Sequence, residues 1–118
     1  MQKILIIDND ELLLERLMNL FEKNNYITAG LNHGEANIKT VELFNPAIIL
    51  IDIFQILDGK RLPLKLKSNE RTQAIKIILH SHYHLRKEDY DHFGCDDFIA
   101  KSVNEETLLV KIRMLLNH

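Results

Sequence analysis

Two hydrophobic patterns alternate along the chain. Lys3–Asp8 (KILIID) and Ala47–Asp52 (AIILID) are short, nearly continuous apolar runs that each end in an acid. Strands this uniformly apolar are usually covered on both faces, as in a parallel sheet. Between them the apolar residues follow helical spacing. From Asp10 to Lys23 they fall at Leu13, Leu14, Leu17, Met18 and Phe21, with Asp10 placed to cap the helix. Tyr26–Gly30 predicts a second strand. Gly34–Phe44 predicts a second helix, with Ile38, Val41 and Phe44 marking its period. Proline is tolerated in a first helical turn, so Pro63 sets a third helix at Arg61–Lys67. Ile75–Ser81 reads as a strand, Leu85–His92 as a short helix and Asp97–Lys101 as a strand. Asn104 caps a last helix that buries Leu108, Leu109, Ile112, Leu115 and Leu116. Five βα units in succession predict an α/β, doubly wound fold with a five-stranded parallel sheet.

Composition narrows the function. A chain of 118 residues is one domain, and 46% hydrophobic with 27% charged residues is an ordinary globular balance. Fifteen Lys and Arg against 17 Asp and Glu give a net charge of −2, which offers no electrostatic case for binding nucleic acid or an anionic membrane. No apolar run approaches the roughly 18 residues of a membrane helix. The start lacks a signal-peptide layout, because charge resumes at Asp8, Asp10 and Glu11. Cys95 is the only cysteine; it excludes an intrachain disulfide, fits a reducing cytosol and, beside Gly94, reads as structural. A cytoplasmic location is expected.

In open α/β sheets, ligands bind outside the carboxyl ends of the strands. The first strand ends in Asp8-Asn9-Asp10, the third in Asp52, the fourth near Ser81 and the fifth in Lys101. Acids, a hydroxyl and a lysine therefore converge on one edge. Oxygen ligands of this kind suit Mg²⁺, and a lysine beside them pairs with the carboxylates or with a bound phosphoryl group.

These residues resemble the response-regulator receiver domains of two-component signalling, a CheY-like, flavodoxin-like fold, over residues 1–118. The likeness rests on Ile4-Leu5-Ile6-Ile7-Asp8-Asn9-Asp10, Ile49-Leu50-Ile51-Asp52, Asp58-Gly59, Ile77-Ile78-Leu79-His80-Ser81 and Gly94-Cys95-Asp96-Asp97-Phe98-Ile99-Ala100-Lys101, with Val110–Leu116 as the last helix. The resemblance implies a signalling domain rather than an enzyme, capable at most of Mg²⁺-dependent self-phosphorylation and self-dephosphorylation. Asp52 would be the phosphoacceptor. Mg²⁺ would bridge Asp8, Asn9, Asp52 and the main-chain carbonyl of Phe54. Lys101 and Ser81 would hold phosphoryl oxygens, and Ser81 and Phe98 would switch. A histidine kinase or phosphotransfer protein would be the partner. Asp96, Asp97, Lys111 and Arg113 stand where related domains form a dimer face from the fourth helix, fifth strand and last helix.

Four departures from the family pattern stand out. Asn9 replaces an acid, which should weaken metal binding. The loop Asp52–Gly59 is one residue short and lacks a proline. The span from Ser81 to Gly94 is about two residues short. Ser102 replaces a proline that typically follows a cis bond; a cis bond without proline costs roughly 2.5–4 kcal/mol, so a trans peptide and a re-aimed Lys101 are expected. The alternative reading is therefore a degenerate pseudo-receiver that acts by binding alone. A flavodoxin-like small-molecule binder or hydrolase is a further alternative, but the chain lacks a Gly-rich phosphate loop and a G-x-S-x-G elbow. His80, His82 and His84 alternate; in an extended chain they would share a face that binds a soft transition metal, or else form a polar loop beside the site.

Overall fold

The computed structural model describes residues 1–117; His118 lies outside the described residues. The chain runs β1 (Lys3–Ile7), α1 (Glu11–Lys23), β2 (Ile27–Leu31), α2 (Ile38–Phe44), β3 (Ile48–Asp52), α3 (Phe54–Leu57), α4 (Leu62–Lys67), β4 (Lys76–Ser81), α5 (Lys87–His92), β5 (Asp97–Ala100) and α6 (Glu105–Leu116). The five strands form one parallel sheet in the order β2-β1-β3-β4-β5, the doubly wound topology expected. The order reverses between β1 and β3, which opens a crevice at their carboxyl ends.

Side chains alternate across a strand, and here the alternation divides the core in two. Ile4, Ile6, Ile48, Leu50, Ile78 and Ile99 face α1 and α6, where they pack on Leu17, Phe21, Leu108 and Ile112. Leu5, Ile7, Ile49, Ile51, Ile77 and Leu79 face the opposite way, toward Val41, Leu62, Leu66 and Cys95. Burying each such side chain contributes about 1.5–3 kcal/mol. Burial pushes the Cys95 thiol up to about 12, helped by Asp96 and opposed by Lys67, so the sulfur is an inert core group.

The helix boundaries follow their caps. Asp10 accepts the Leu13 N–H at 3.1 Å and Asn104 the Thr107 N–H at 2.8 Å, as expected. The second helix starts later than Gly34. Asn37 and Thr40 form a reciprocal capping box that fixes its first residue at Ile38. The shortened segment after Asp52, expected to be a loop, coils into the four-residue α3. The chain then turns through two left-handed residues, Gly59 (φ 84°) and Arg61 (φ 53°), into α4.

Gly94 closes α5 with φ 87°, its N–H donating to the Asp91 carbonyl while Cys95 N–H reaches the Tyr90 carbonyl. A Cβ at Gly94 would lie 3.0 Å from both the backbone nitrogen and Cδ2 of Leu64. Gly94→Ala therefore combines left-handed strain with a backbone clash, and is expected to lower stability by about 2 kcal/mol or more. A urea midpoint equal to wild type would contradict this.

Candidate functional site

The same alternation builds the site. Continuing each strand of the α1/α6 face by two residues takes Ile6 to Asp8, Leu50 to Asp52, Ile78 to His80 and Ile99 to Lys101. All four side chains therefore emerge on one face at the carboxyl edge. Backbone hydrogen bonds continue past β1 and β4–β5: Asp8 N–H donates to the Leu31 carbonyl and Lys101 N–H to the Ser81 carbonyl at 2.8 Å. The Lys101 Nζ then donates to Asp52 Oδ1 at 2.7 Å and to Asp8 Oδ2 at 2.8 Å. Its side chain is 9% exposed, and those of Asp8 and Asp52 are 5% and 7% exposed. Burial pulls the Lys101 ammonium down, but hydrogen bonds to Asp52 and Asp8 outweigh it and hold the ammonium above its ordinary value.

Lys101 is therefore not re-aimed. None of the peptide bonds among the described residues is cis, so Lys101–Ser102 is trans as expected. The strand ladder nonetheless fixes the Lys101 backbone, and two carboxylates draw its ammonium inward.

The remaining carboxylate oxygens take backbone donors. Asp8 Oδ1 accepts Asp10 N–H at 3.0 Å, and Asp52 Oδ2 accepts Phe54 N–H at 3.2 Å. Two buried carboxylates against one ammonium leave a negative charge uncompensated, and that charge suits a divalent cation with few protein ligands. Two expected ligands are engaged elsewhere. The Phe54 main-chain carbonyl accepts the Asp58 N–H at 3.1 Å within α3. The exposed Asn9 turns its Oδ1 to the His33 N–H at 2.8 Å.

Ser81 is wholly buried, and its Oγ accepts the Tyr83 N–H at 3.0 Å. Phe98 is half-buried with its ring edge-to-face on His84 at 6.0 Å. Of the expected dimer-face residues, Asp96 takes the Lys67 ammonium at 2.6 Å and the Ile77 N–H at 2.8 Å. Arg113 donates to Oδ1 of Asn24, the C-cap of α1, at 3.1 Å, and Asp97 accepts the Phe98 N–H. Lys111 is exposed.

The histidine trio does not share a face, and of the two readings of it the soft-metal one loses its geometry. β4 ends at Ser81, which breaks the alternation; His80 is buried in the sheet while His82 and His84 are exposed. Among the described residues no group of three or more His, Cys, Asp or Glu side chains is placed to hold a metal.

Two residues of this edge were not recognised from sequence as parts of it. His80 was legible, since it lies two residues after the inward-facing Ile78. His33 follows the carboxyl end of β2, the strand beside β1, and only that position signalled it. Its Nε2 lies 3.8 Å from Asp52 Oδ2.

With this geometry in view, the comparisons define the class. The chain belongs to the response regulator receiver domain family, whose model matches residues 4–113. It is similar to Protein PilH of Pseudomonas aeruginosa, 26% identical over 122 residues, covering 98% of each chain. The structure of a response regulator from Desulfuromonas acetoxidans superposes with a TM-score of 0.85 at 25% identity, covering 99% of this chain and 98% of that one. The signal receiver domain of a signal transduction histidine kinase from Syntrophus aciditrophicus gives 0.81 at 27%, covering 99% and 91%. The protein is thus a receiver domain of two-component signalling, a class of signalling module that typically uses Mg²⁺ and interacts with histidine kinases or phosphotransfer proteins. Among the described residues no helix is long and apolar enough to cross a membrane.

His80 carries a pH dependence. Burial first, then the Lys101 ammonium, lower its imidazole from 6.5 to about 4, against upward pushes from Asp8 and Asp52. Its Nδ1 is buried with no hydrogen-bond partner among the described residues. Below 6.5 the unfolded chain takes up a proton that the folded one refuses, so stability falls as pH drops toward 4. Urea titrations at pH 7 and pH 5 are expected to show wild type losing about 2 kcal/mol more than His80→Val over that interval. Parallel losses in the two proteins would contradict this.

Proposed function

We propose that this receiver accepts a phosphoryl group on Asp52. The observation that carries the reading is Lys101, whose ammonium bridges the buried carboxylates of Asp52 and Asp8 at 2.7 and 2.8 Å. An Asp52 oxygen attacks phosphorus and forms an O–P bond. The bond from phosphorus to the donor's leaving atom breaks, and the donor departs with the electron pair. Lys101 then pairs with a phosphoryl oxygen. The Ser81 hydroxyl, whose oxygen accepts the Tyr83 N–H, donates its hydrogen to another and draws its loop inward, and Phe98 follows. Phosphoryl transfer depends mainly on positioning and charge stabilisation, and a fixed ammonium beside a fixed carboxylate supplies both.

Asp8 and Asp52 would hold Mg²⁺, with Asn9 as a weakened ligand through the lone pair that its amide oxygen does not give to the His33 N–H. The bound ion would neutralise charge on the phosphoryl oxygens. The donor is a histidine kinase or phosphotransfer protein of the cytoplasm, and the pocket hydrolyses its own aspartyl phosphate. The output face is formed by α5, β5 and α6, with Asp97 and Lys111 at its surface; a homodimer through it would draw on Asp96 and Arg113 only after they leave their present partners. Exposed bridges of this kind contribute about 0–1 kcal/mol each and set specificity rather than affinity.

A second reading, a pseudo-receiver that signals by binding alone, is favoured by the Phe54 carbonyl turned into α3 and by the Asn9 oxygen bound to His33. Intact mass after incubation with acetyl phosphate and Mg²⁺ separates the two. The phosphoacceptor reading expects one phosphoryl adduct that requires Mg²⁺ and is absent from Asp52→Asn. A folded wild type that gains no mass, beside a receiver that does, would establish the pseudo-receiver instead.

A further inference from the structure

Two of the departures from the family pattern meet at one residue. Asn9, which replaces an acid, accepts the His33 backbone N–H at 2.8 Å. Lys60, from the segment that follows the shortened α3, donates its ammonium to the His33 carbonyl at 3.1 Å. His33 is thus clamped through both backbone groups to the two loops that flank Asp52. The clamp orients its ring. The side chain is 15% exposed, and Nε2 lies 3.8 Å from Asp52 Oδ2. That nitrogen is buried and has no hydrogen-bond partner among the described residues.

A separation of 3.8 Å is too long for a hydrogen bond, which needs about 2.7–3.2 Å. Leaving a buried ring nitrogen unpaired is costly, and each such case in a folded protein calls for an explanation. The Asp52 carboxylate already accepts from the Lys101 ammonium and the Phe54 N–H, and Lys101 is held by Asp8 as well. Nε2 lies beside the carboxylate without bonding to it. A phosphoryl group on Oδ2 would bring its oxygens within reach of that nitrogen. A neutral ring with its proton on Nε2 and an imidazolium both donate from this atom.

We propose that His33 is a phosphoryl-contact residue, whose Nε2–H donates to an oxygen of the group carried by Asp52. It acts opposite Lys101, so the charge of the phosphoryl group is held from two sides. Asn9 then has a positioning role: its amide oxygen holds the backbone of the residue that contacts the phosphoryl group. The inference rests on Asp52 being the phosphoacceptor.

Beryllofluoride, which binds an aspartate carboxylate as a phosphoryl mimic, tests it. The full chain and its His33→Leu and His33→Gln variants are titrated in saturating Mg²⁺, with fluorine NMR as the readout and urea midpoints measured alongside. Leu fills similar space without a donor, whereas the Gln amide nitrogen reaches the place of Nε2. Losing one donor to a charged acceptor is expected to weaken binding about tenfold or more in His33→Leu. The same variant should move one bound fluorine resonance, the one facing residue 33. His33→Gln should restore binding to within about threefold of wild type, since it restores the donor. Wild-type affinity and an unchanged fluorine spectrum in His33→Leu would overturn the His33 inference alone. So would equal weakening in both variants. A wild type that binds no beryllofluoride would overturn the phosphoacceptor reading, and this inference with it.

Discussion

One ammonium between two buried carboxylates governs the carboxyl edge of this sheet. Lys101 follows the fifth strand, Asp8 follows the first and Asp52 ends the third, so the contact ties together strands far apart in sequence. Taking three charges out of water costs several kcal/mol per ion, and close pairing with further hydrogen bonds offsets that cost. Backbone donors from Asp10 and Phe54 complete the set. The remaining unit of negative charge makes the pocket receptive to a cation, and the fixed ammonium makes it receptive to a phosphoryl oxygen. Packing alone would not favour this arrangement; the sheet tolerates it because its two apolar layers are complete beneath it.

The buried polar groups near this edge are consistent with a site built for more than stability. Among the described residues, His80 occupies a sheet position continuous with Ile78 and leaves Nδ1 unpaired. Gln55, on α3 just after Asp52, is wholly buried, and both ends of its amide lack a partner among the described residues. His33 faces Asp52 across a gap too wide for a hydrogen bond. Each costs free energy that an apolar residue would avoid. Residues that break local rules tend to collect at functional sites, and these lie near Asp52 in the chain or in space.

Much of this was legible in the sequence because strand periodicity is strict. The runs ending in Asp8 and Asp52 fixed two strands and their carboxyl ends, and Asp10 and Asn104 fixed two helix starts through local hydrogen bonds. Boundaries set by other interactions were less legible. The second helix begins at Ile38 because Asn37 and Thr40 cap each other, a competition that the apolar pattern does not record. The turn after Asp52 coiled into α3, which spent the Phe54 carbonyl; a loop without proline carries no sequence mark of where its carbonyls point. The expected displacement of Lys101 failed for a related reason: a change at the following peptide is local, while the position of Lys101 is set by the β4 ladder and by two distant carboxylates. His33 depends on contacts with Asn9 and Lys60, 24 and 27 residues away, and such contacts are invisible to spacing rules.

Equilibrium unfolding in urea of wild type, Lys101→Met and Asp52→Asn tests the governing interaction most directly. Lys101→Met strands two buried carboxylates and should cost about 3–5 kcal/mol, whereas Asp52→Asn removes the excess charge and should cost far less. A Lys101→Met protein as stable as wild type would show that the ammonium does not hold this edge together.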